Sequence, residues 1–416
     1  MKRIILCLLA FLLILPVLGG CGKGEEPDAI IILPGIMGSE MFLAEDAVFK
    51  GKTYAAGTKL WVDIDSLSNV FAVPEHIEMM ALDSGCSVRP HEPIVNEYVV
   101  QNTYGALNTY AKLYKAIYEE FRDACDVVFY SYDWRYDPFE AARDLDAYIA
   151  SQGYEKVSLV VHSMGGLVAS QYLAMGEAQR DRVVTYLSLG TPYLGAEQAS
   201  YVMATGNINT FFANILVSDE AKALCPTLDS MYTLMPFSRM WRSSLSIYPL
   251  IGNAEASRSF EHEQVILGTY IESYNRSRHA DAEDRKALYF TEDGRHVTQL
   301  VNAYYLVGDG VNTVTTVSFP KNEKIGSSLC LPVKTARGDG TVSLYSATVG
   351  GTLPADRTFI KSPQGNRLAD HNSLASGDDP TNLDFVLAVL RGEIDSLSAF
   401  ELKSRYNVQK GAPAFD

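Results

Sequence analysis

The chain has 416 residues, of which 47% are hydrophobic and 20% are charged, a composition typical of a globular protein with one large α/β domain or with two domains. Its formal net charge of −15 at pH 7 argues against a nucleic-acid partner and gives no support for electrostatic docking on anionic lipid. The cysteines and histidines show no spacing typical of a zinc site. We therefore predict no metal, and the sequence indicates no cofactor.

The N-terminus has the pattern of an export signal. Lys2 and Arg3 precede an apolar run at 4–18, which is short for a membrane-spanning helix. The Leu-Gly-Gly-Cys sequence that follows resembles a bacterial lipobox, in which the cysteine, here Cys21, becomes the lipidated first residue of the mature chain. An ordinary signal sequence that happens to end in cysteine is the alternative. We predict an extracytoplasmic lipoprotein anchored to the bacterial cell membrane, with residues 22–28 as a flexible tether.

The first core strand is predicted at Ala29–Leu33, a short apolar run that stops at Pro34. Glycines in the following loop, residues 34–39, would let the backbone approach a substrate carbonyl group, as an oxyanion loop does. We assign the backbone N–H of Ile36 as one oxyanion donor. A plain Pro-Gly turn is the alternative interpretation.

Residues from about 40 to 105 look irregular and are rich in aromatic and polar groups, so we interpret them as an insertion, with a lid as our hypothesis. The helical period over Leu107–Cys125 predicts a helix packed on the sheet, and Val127–Tyr130 is the next predicted strand. Asp133 and Arg135 follow two residues apart, so both side chains can face the same side and pair. We interpret them as a structural ion pair rather than as catalytic groups.

The most informative segment is 157–166, an apolar run that ends in a serine and then in two glycines. It predicts a buried parallel strand followed by a helix from Leu167, so Ser163 would lie on the sharp strand-to-helix turn of an α/β-hydrolase. The same turn would aim the Met164 backbone N–H at a developing oxyanion. Val161 stands where the usual motif has glycine, and its β-branched side chain must find room. The alternative is a buried strand whose serine only caps the next helix.

A second insertion is predicted after the strand at Val183–Leu189. From Ala196 to about Leu300 the pattern loosens into short helices, and Ala303–Val307 returns to the sheet. We interpret the segment at 196–300 as a cap, which suits a large substrate. Its exposed-looking apolar groups include Phe211, Phe212, Ile215 and Leu216.

An acid and a histidine should follow the serine in that order, each in a loop after a strand. Asp339 lies between two glycines, and His371 follows the predicted strand at Thr358–Ile360. Asp309, which is also flanked by glycines at the end of a strand, competes with Asp339 for the role of the acid. We prefer Asp339, which lies nearer to the histidine along the chain.

These motifs resemble those of the lecithin:cholesterol acyltransferase family, which also includes lysosomal phospholipases, plant phospholipid:diacylglycerol acyltransferases and bacterial lipases. The matches run in order through nearly all of the predicted mature chain. Val161 departs from the usual Gly or Ala, and the family's disulfide-closed lid is not recognisable, since only Cys86 lies in the corresponding region. The matching segments are 34–38, 132–135, 162–165, 230–236 and 338–342, together with His371.

The resemblance implies an α/β-hydrolase fold with a mostly parallel central sheet and helices on both faces. It also implies a Ser163, Asp339 and His371 triad that forms an acyl-enzyme from a phospholipid or an acylglycerol. We expect hydrolysis as the main reaction, with predominant O-acyl transfer to a lipid alcohol as the alternative. A catalytically inactive lipid-binding lipoprotein and a peptidase of the same fold are further alternatives.

The predicted organisation is a signal peptide at 1–20, the lipidated cysteine and tether at 21–28, and one hydrolase domain at 29–416. The expected partners are the lipid substrate and, through the anchor, the membrane. The oligomeric state is left open. Four cysteines of the mature chain remain and permit disulfides in three possible connectivities: Cys86, Cys125, Cys225 and Cys330.

Overall fold

A computed structural model describes residues 26–61, 73–99, 104–207, 218–238, 260–318, 330–413 and 415 of the chain. The predicted signal peptide and Cys21 lie outside these residues, as do the four apolar cap residues at 211, 212, 215 and 216. Within the described ranges, the helices are too short or too polar for any of them to cross a bilayer.

Short runs rich in apolar and β-branched residues form the strands of the central sheet. In the described part of the chain eight strands pair in it. The six inner strands run parallel, whereas the two edge strands, Val408–Lys410 and Ile94–Val95, pair antiparallel. Their order across the sheet is β15 (Val408–Lys410), β14 (Thr358–Lys361), β11 (Ala303–Gly308), β10 (Val183–Leu189), β9 (Val157–His162), β1 (Ala29–Leu33), β8 (Asp126–Phe129) and β7 (Ile94–Val95). The remaining strands are β2 (Met41–Leu43), β3 (Ala47–Phe49), β4 (Lys52–Tyr54), β5 (Lys59–Trp61), β6 (Val88–Pro90), β12 (Thr313–Ser318) and β13 (Leu331–Thr335).

The α-helices connect these strands and cover the sheet. They are α1 (Val73–Met79), α2 (Ala111–Phe121), α3 (Pro138–Gln152), α4 (Gly165–Ala174), α5 (Glu177–Asp181), α6 (Glu197–Thr205), α7 (Ser218–Leu224), α8 (Asp229–Leu234), α9 (Phe260–Tyr270), α10 (Arg276–Ala287), α11 (Leu344–Ala347), α12 (Ser373–Ser376), α13 (Pro380–Leu390) and α14 (Ala399–Tyr406). Short 3-10 helices occur at Ala106–Asn108, Cys225–Thr227, Val297–Leu300 and Ile394–Ser396.

The two faces of the sheet carry separate hydrophobic clusters, because alternate residues of a strand point to opposite faces. In β1, Ile31 and Leu33 pack in the cluster that includes buried residues of α3 and α4. Ile30 and Ile32 pack in the cluster that includes buried residues of α2 and α13. Helices thus cover both faces of a mostly parallel sheet, and the predicted α/β-hydrolase fold is confirmed.

The parallel register collects the loops that carry the candidate residues. Leu33 at the end of β1 pairs with Val161, and Leu189 at the end of β10 pairs with His162. The loops after these strands therefore meet beyond the carboxyl ends of the strands, where open α/β folds have their ligand sites.

The segment at 40–105 is more regular than the sequence predicts. Strands β5, β2 and β6 form a three-stranded antiparallel sheet, and β3 and β4 form a separate two-stranded sheet. Strand β7 even joins the edge of the central sheet, so the segment does not lie wholly outside the core. Strands of two or three residues are too short to show an alternating pattern, which is why the sequence does not reveal them.

The helix predicted over 107–125 is shorter in the structure, where α2 spans Ala111–Phe121. Leu107 and Asn108 each have a φ of 58°, a left-handed conformation that a continuous α-helix does not contain. The apolar period begins before the helix, because Tyr110, its N-cap residue, is itself buried in the core.

The four cysteines predicted to be available for disulfides do not pair. Cys86, Cys125, Cys225 and Cys330 are all free thiols. Sequence alone allows a disulfide but does not bring two sulfur atoms together, and the fold keeps these four apart.

Candidate active site

Ser163 lies on a tight turn between β9 and α4. Its φ of 53° is in the left-handed region, which non-glycine residues seldom adopt. The turn also depends on glycine, because a Cβ atom on Gly165 would lie 2.5 Å from the Leu33 carbonyl oxygen, and one on Gly166 would lie 1.9 Å from Thr191 Oγ1. The chain therefore forms the strained strand-to-helix turn that presents a side chain at the carboxyl edge of the sheet.

Val161 is accommodated although the usual motif has glycine at its position. Its side chain is buried in the hydrophobic cluster that includes Leu33. The close backbone approach to the serine is made instead by Gly35, where a Cβ atom would lie 2.8 Å from Ser163 Cβ. Glycine is thus required in the loop after β1, and a β-branched residue is tolerated in β9.

Two of the predicted residues meet Ser163 in one hydrogen-bonded chain. His371 Nε2 lies 2.8 Å from Ser163 Oγ, and His371 Nδ1 lies 2.7 Å from Asp339 Oδ2. The other carboxylate oxygen of Asp339 accepts hydrogen bonds from the backbone N–H groups of Thr341 and Val342, at 3.0 and 2.7 Å. The three side chains are buried. This arrangement of a hydroxyl, a base and an acid that orients the base can activate the serine as a nucleophile.

The competing acid, Asp309, lies apart from this chain. It forms an ion pair with Arg337, whose Nε is 3.6 Å from Asp309 Oδ1, while His371 pairs with Asp339.

In the described part of the chain, His, Cys, Asp and Glu side chains form no group of three or more that could hold a metal ion.

The two predicted oxyanion donors adjoin Ser163. Ile36 lies in the loop after β1 and lines two cavities together with Ser163, and Met164 is the N-cap residue of α4. Among the described residues, neither backbone N–H donates a hydrogen bond to another protein group. Both N–H groups are thus uncommitted within the described part of the protein, and the N-terminus of α4 adds a favourable dipole beside Ser163.

Tyr110 and His162 belong to the site although the sequence analysis did not assign them. Tyr110 Oη lies 2.8 Å from His162 Nδ1, and His162 Nε2 lies 3.0 Å from the His371 carbonyl oxygen. Burial, reinforced by the neighbouring His371, lowers the pKa of His162 to about 3, so its ring is neutral at pH 7. The sequence holds one signal for His162, because this residue directly precedes Ser163. Tyr110 belongs to an apolar helical period, which predicts only core packing.

Two cavities adjoin Ser163 and Ile36. The larger has a volume of about 680 Å³, its opening to solvent included, and Ser163 and Thr341 supply the hydroxyl groups among its otherwise largely apolar described walls. Helix α6 contributes Ala199 and Val202 to its wall, and helix α8 contributes Met231 and Leu234. The smaller contains about 320 Å³ and is bounded by polar residues, among them Thr109, Tyr110, His162, His371 and Asn372.

The predicted ion pair of Asp133 and Arg135 is confirmed, and Arg135 Nη2 lies 2.7 Å from Asp133 Oδ2. The buried Arg135 guanidinium also donates hydrogen bonds to the carbonyl oxygens of Met80 and Val88, at 3.1 and 3.4 Å. It therefore ties the first insertion to the core, which is a structural role.

A family model for lecithin:cholesterol acyltransferase matches residues 78–316, more than half of the chain. No curated protein matches the sequence. Among solved structures, a chain of a Tle4–Tli4 complex is 14% identical, with a TM-score of 0.60 over 89% of this chain and 98% of that chain. The mature Bacillus licheniformis lipase BlEst2 is also 14% identical, with a TM-score of 0.36 over 88% of this chain and 92% of that chain. The first likeness shows the fold alone, and the family match shows that the chain belongs to the lecithin:cholesterol acyltransferase family.

Proposed function

We propose that the protein is a serine-dependent lipid ester hydrolase that forms an acyl-enzyme on Ser163 and passes the acyl group mainly to water. Membership of the family supports a lipid ester hydrolase or acyltransferase in general. The observation that carries the finer proposal is the hydrogen-bonded chain from Ser163 through His371 to Asp339, beside a large apolar cavity.

In the first half of the reaction, Ser163 Oγ attacks the ester carbonyl carbon while its proton passes to His371 Nε2. Asp339 stabilises the charged imidazole, and the N–H groups of Ile36 and Met164 stabilise the oxyanion. Collapse of the tetrahedral intermediate breaks the bond to the alcohol oxygen, which takes the proton from His371. The acyl group is then esterified to Ser163, and the alcohol leaves.

In the second half, water or a lipid alcohol attacks the acyl carbon while His371 accepts its proton. The Ser163 oxygen leaves and recovers that proton, so the products are the free enzyme and a fatty acid or a new ester. Water is available at all times to an extracytoplasmic enzyme. We therefore assign hydrolysis as the main reaction, with transfer where a lipid alcohol is abundant.

The larger cavity supports a lipid acyl chain as the group transferred. Each buried methylene contributes about 0.8 kcal/mol. The described walls offer few polar groups that could hold water in the cavity by hydrogen bonds. A peptide would have to bury N–H and C=O groups against the same walls without hydrogen bonds, at a cost of about 1–3 kcal/mol each. The cavity therefore favours a lipid ester over a peptide substrate.

The decisive experiment supplies acyl-labelled phospholipid or acylglycerol, with and without a long-chain alcohol or diacylglycerol, and counts free fatty acid against new ester. We expect mainly fatty acid, with measurable new ester when the alcohol is abundant. Mostly new ester at a modest alcohol concentration would replace the hydrolase assignment by an acyltransferase. The absence of both products with every lipid would reject the lipid substrate.

The serine mechanism is tested in the same assay with Ser163→Ala and His371→Ala. Each should lower the rate by about 10³-fold or more, because the members of a triad act together. Circular dichroism and thermal unfolding serve as the control for folding. A folded Ser163→Ala variant that keeps its activity would exclude the acyl-enzyme.

A further inference from the structure

A second hydrogen-bonded chain runs beside the first and joins the oxyanion loop to the backbone of the candidate base. The Gly35 backbone N–H donates to Tyr110 Oη at 2.8 Å, and Tyr110 Oη in turn lies 2.8 Å from His162 Nδ1. His162 Nε2 lies 3.0 Å from the His371 carbonyl oxygen. Tyr110 and His162 are each only 3% exposed, so bulk solvent has little access to these contacts, although both residues border the smaller cavity.

The direction of each hydrogen bond follows from what each group can do. An amide N–H can only donate, and a carbonyl oxygen can only accept. His162 Nε2 must therefore carry a proton to face the His371 carbonyl oxygen. Since the buried ring is neutral, Nδ1 has a free lone pair, which accepts the Tyr110 hydroxyl proton, and the Tyr110 oxygen accepts from Gly35. One tautomer of His162 satisfies all three contacts.

Both ends of this chain lie next to groups that the proposed reaction uses. Gly35 precedes Ile36, the assigned oxyanion donor, and its backbone is close enough to Ser163 to exclude a side chain. The His371 backbone is held on its N–H side by the Asp339 carbonyl oxygen, at 2.8 Å, and on its C=O side by His162. A shift of His162 would therefore move the base relative to the serine.

We propose that Tyr110 and His162 are positioning residues that hold the oxyanion loop and the base at a fixed separation. This inference rests on the proposed function, because it acts through Ile36 and His371. Its physical basis is preorganisation: donors and bases contribute fully only if they already stand where the transition state needs them. The link should therefore affect the rate of the chemical step and leave the affinity for substrate nearly unchanged.

The test compares Tyr110→Phe with Tyr114→Phe, using a soluble short-chain ester. Tyr114 is a matched control, because its buried hydroxyl lies one helical turn away and bonds the Val127 carbonyl oxygen and the Glu97 N–H, at 3.1 and 3.3 Å. We expect Tyr110→Phe to lower kcat by about ten- to hundredfold, less than the loss of a direct oxyanion donor, with KM nearly unchanged. Tyr114→Phe should lose stability but keep kcat within about twofold. A kcat of Tyr110→Phe equal to that of Tyr114→Phe, or an effect on KM alone, overturns the proposal.

A double-mutant cycle shows whether the two residues act as one unit. If they do, Tyr110→Phe combined with His162→Gln loses little more activity than the more damaging single change, whereas independent contributions would multiply. If the activity losses of the two single variants multiply in the double variant, the proposal that Tyr110 and His162 act as one unit is overturned.

Nitrogen-15 NMR of the histidines provides a readout that does not need activity. The wild-type protein should show His162 with its proton on Nε2 and no titration down to about pH 5, and Tyr110→Phe should shift the Nδ1 resonance. A proton on Nδ1 in the wild type refutes the link even in an active enzyme. An inactive wild type with the expected NMR pattern would reject the proposed function while leaving the hydrogen-bonded chain in place.

Discussion

The carboxylate of Asp339 has all the contacts that a triad acid needs. One oxygen faces His371 Nδ1, and the other accepts two backbone N–H groups from its own loop. These hydrogen bonds fix the orientation of the carboxylate toward His371. Among the described residues, the Asp309 carboxylate forms an ion pair with the half-exposed Arg337, of a kind that contributes little to stability.

We expect Asp339→Asn to be far more damaging than Asp309→Asn. An amide at position 339 would support the wrong tautomer of His371, so kcat should fall by about 10⁴-fold with the fold intact. Asp309→Asn should change kcat by no more than a few-fold. The measurement is the initial rate of ester cleavage, with thermal unfolding of both variants as the control; a folded protein in which Asp309→Asn is the worse change would show that the acid is assigned wrongly.

At the scale of elements, helices α6 and α8 each contribute two apolar side chains to the wall of the larger cavity. Helix α8 is anchored to the core, because Thr233 Oγ1 donates to Asp137 Oδ2 at 2.6 Å and the Ser230 N–H donates to the Arg135 carbonyl oxygen at 3.2 Å. Asp137 also accepts from the first turn of α3 and pairs with Arg285. The cavity is therefore bounded by a fixed surface that a substituted side chain can narrow or widen.

We expect Ala199→Phe to reduce cleavage of long-chain esters by more than about tenfold while short-chain esters are cleaved nearly as before. The added ring would occupy the apolar cavity and remove the burial of the distal methylenes, each worth about 0.8 kcal/mol. Val202→Ala is the matched opposite change, because the smaller side chain in the same wall enlarges the cavity, and it should favour longer acyl chains. The measurement is kcat/KM across a series of acyl lengths; an equal loss at every length would place the acyl chain elsewhere.

Element prediction succeeds where a run is long enough to show its period. The strands at 157–162 and 183–189 and the helix after Ser163 have clear patterns, and the structure contains each of them. The short strands of the first insertion have no such pattern, since they depend on pairing with residues distant in sequence. Met41, for example, pairs with both Trp61 and Pro90.

At the scale of the whole molecule, the chain enters the fold at the end of the sheet opposite to the site. Ala29 begins β1, which runs parallel to β9, and Ser163 follows the last residue of β9. The tether that we propose to carry a lipid on Cys21 is short and joins the domain directly before β1. An anchor placed there would hold the enzyme at a membrane without touching the site.

We therefore expect Cys21→Ser to abolish lipid labelling and release the protein from the membrane fraction, while activity on soluble short-chain esters remains nearly intact. The measurement combines metabolic labelling with a fatty acid, fractionation and an ester assay. Membrane retention without labelling would indicate an uncleaved N-terminal segment or a hydrophobic cap surface instead of a lipid anchor.

Local patterns along the chain are enough to predict the fold class, the core strands and Ser163, His371 and Asp339 as candidates, because strand burial, turn glycines and motif order are encoded within short stretches. The sequence favours Asp339 over Asp309, and the contact with His371 that supports this choice is long-range. Only the tertiary structure leaves the four cysteines unpaired and moves the glycine requirement from position 161 to Gly35. Tyr110 and His162 also meet only through the tertiary structure. They lie 52 residues apart and come together because α2 and the turn before it pack on the face of the sheet to which Val160 of β9 points. A side chain's chemistry can be read from its type, but its partner depends on how distant segments pack.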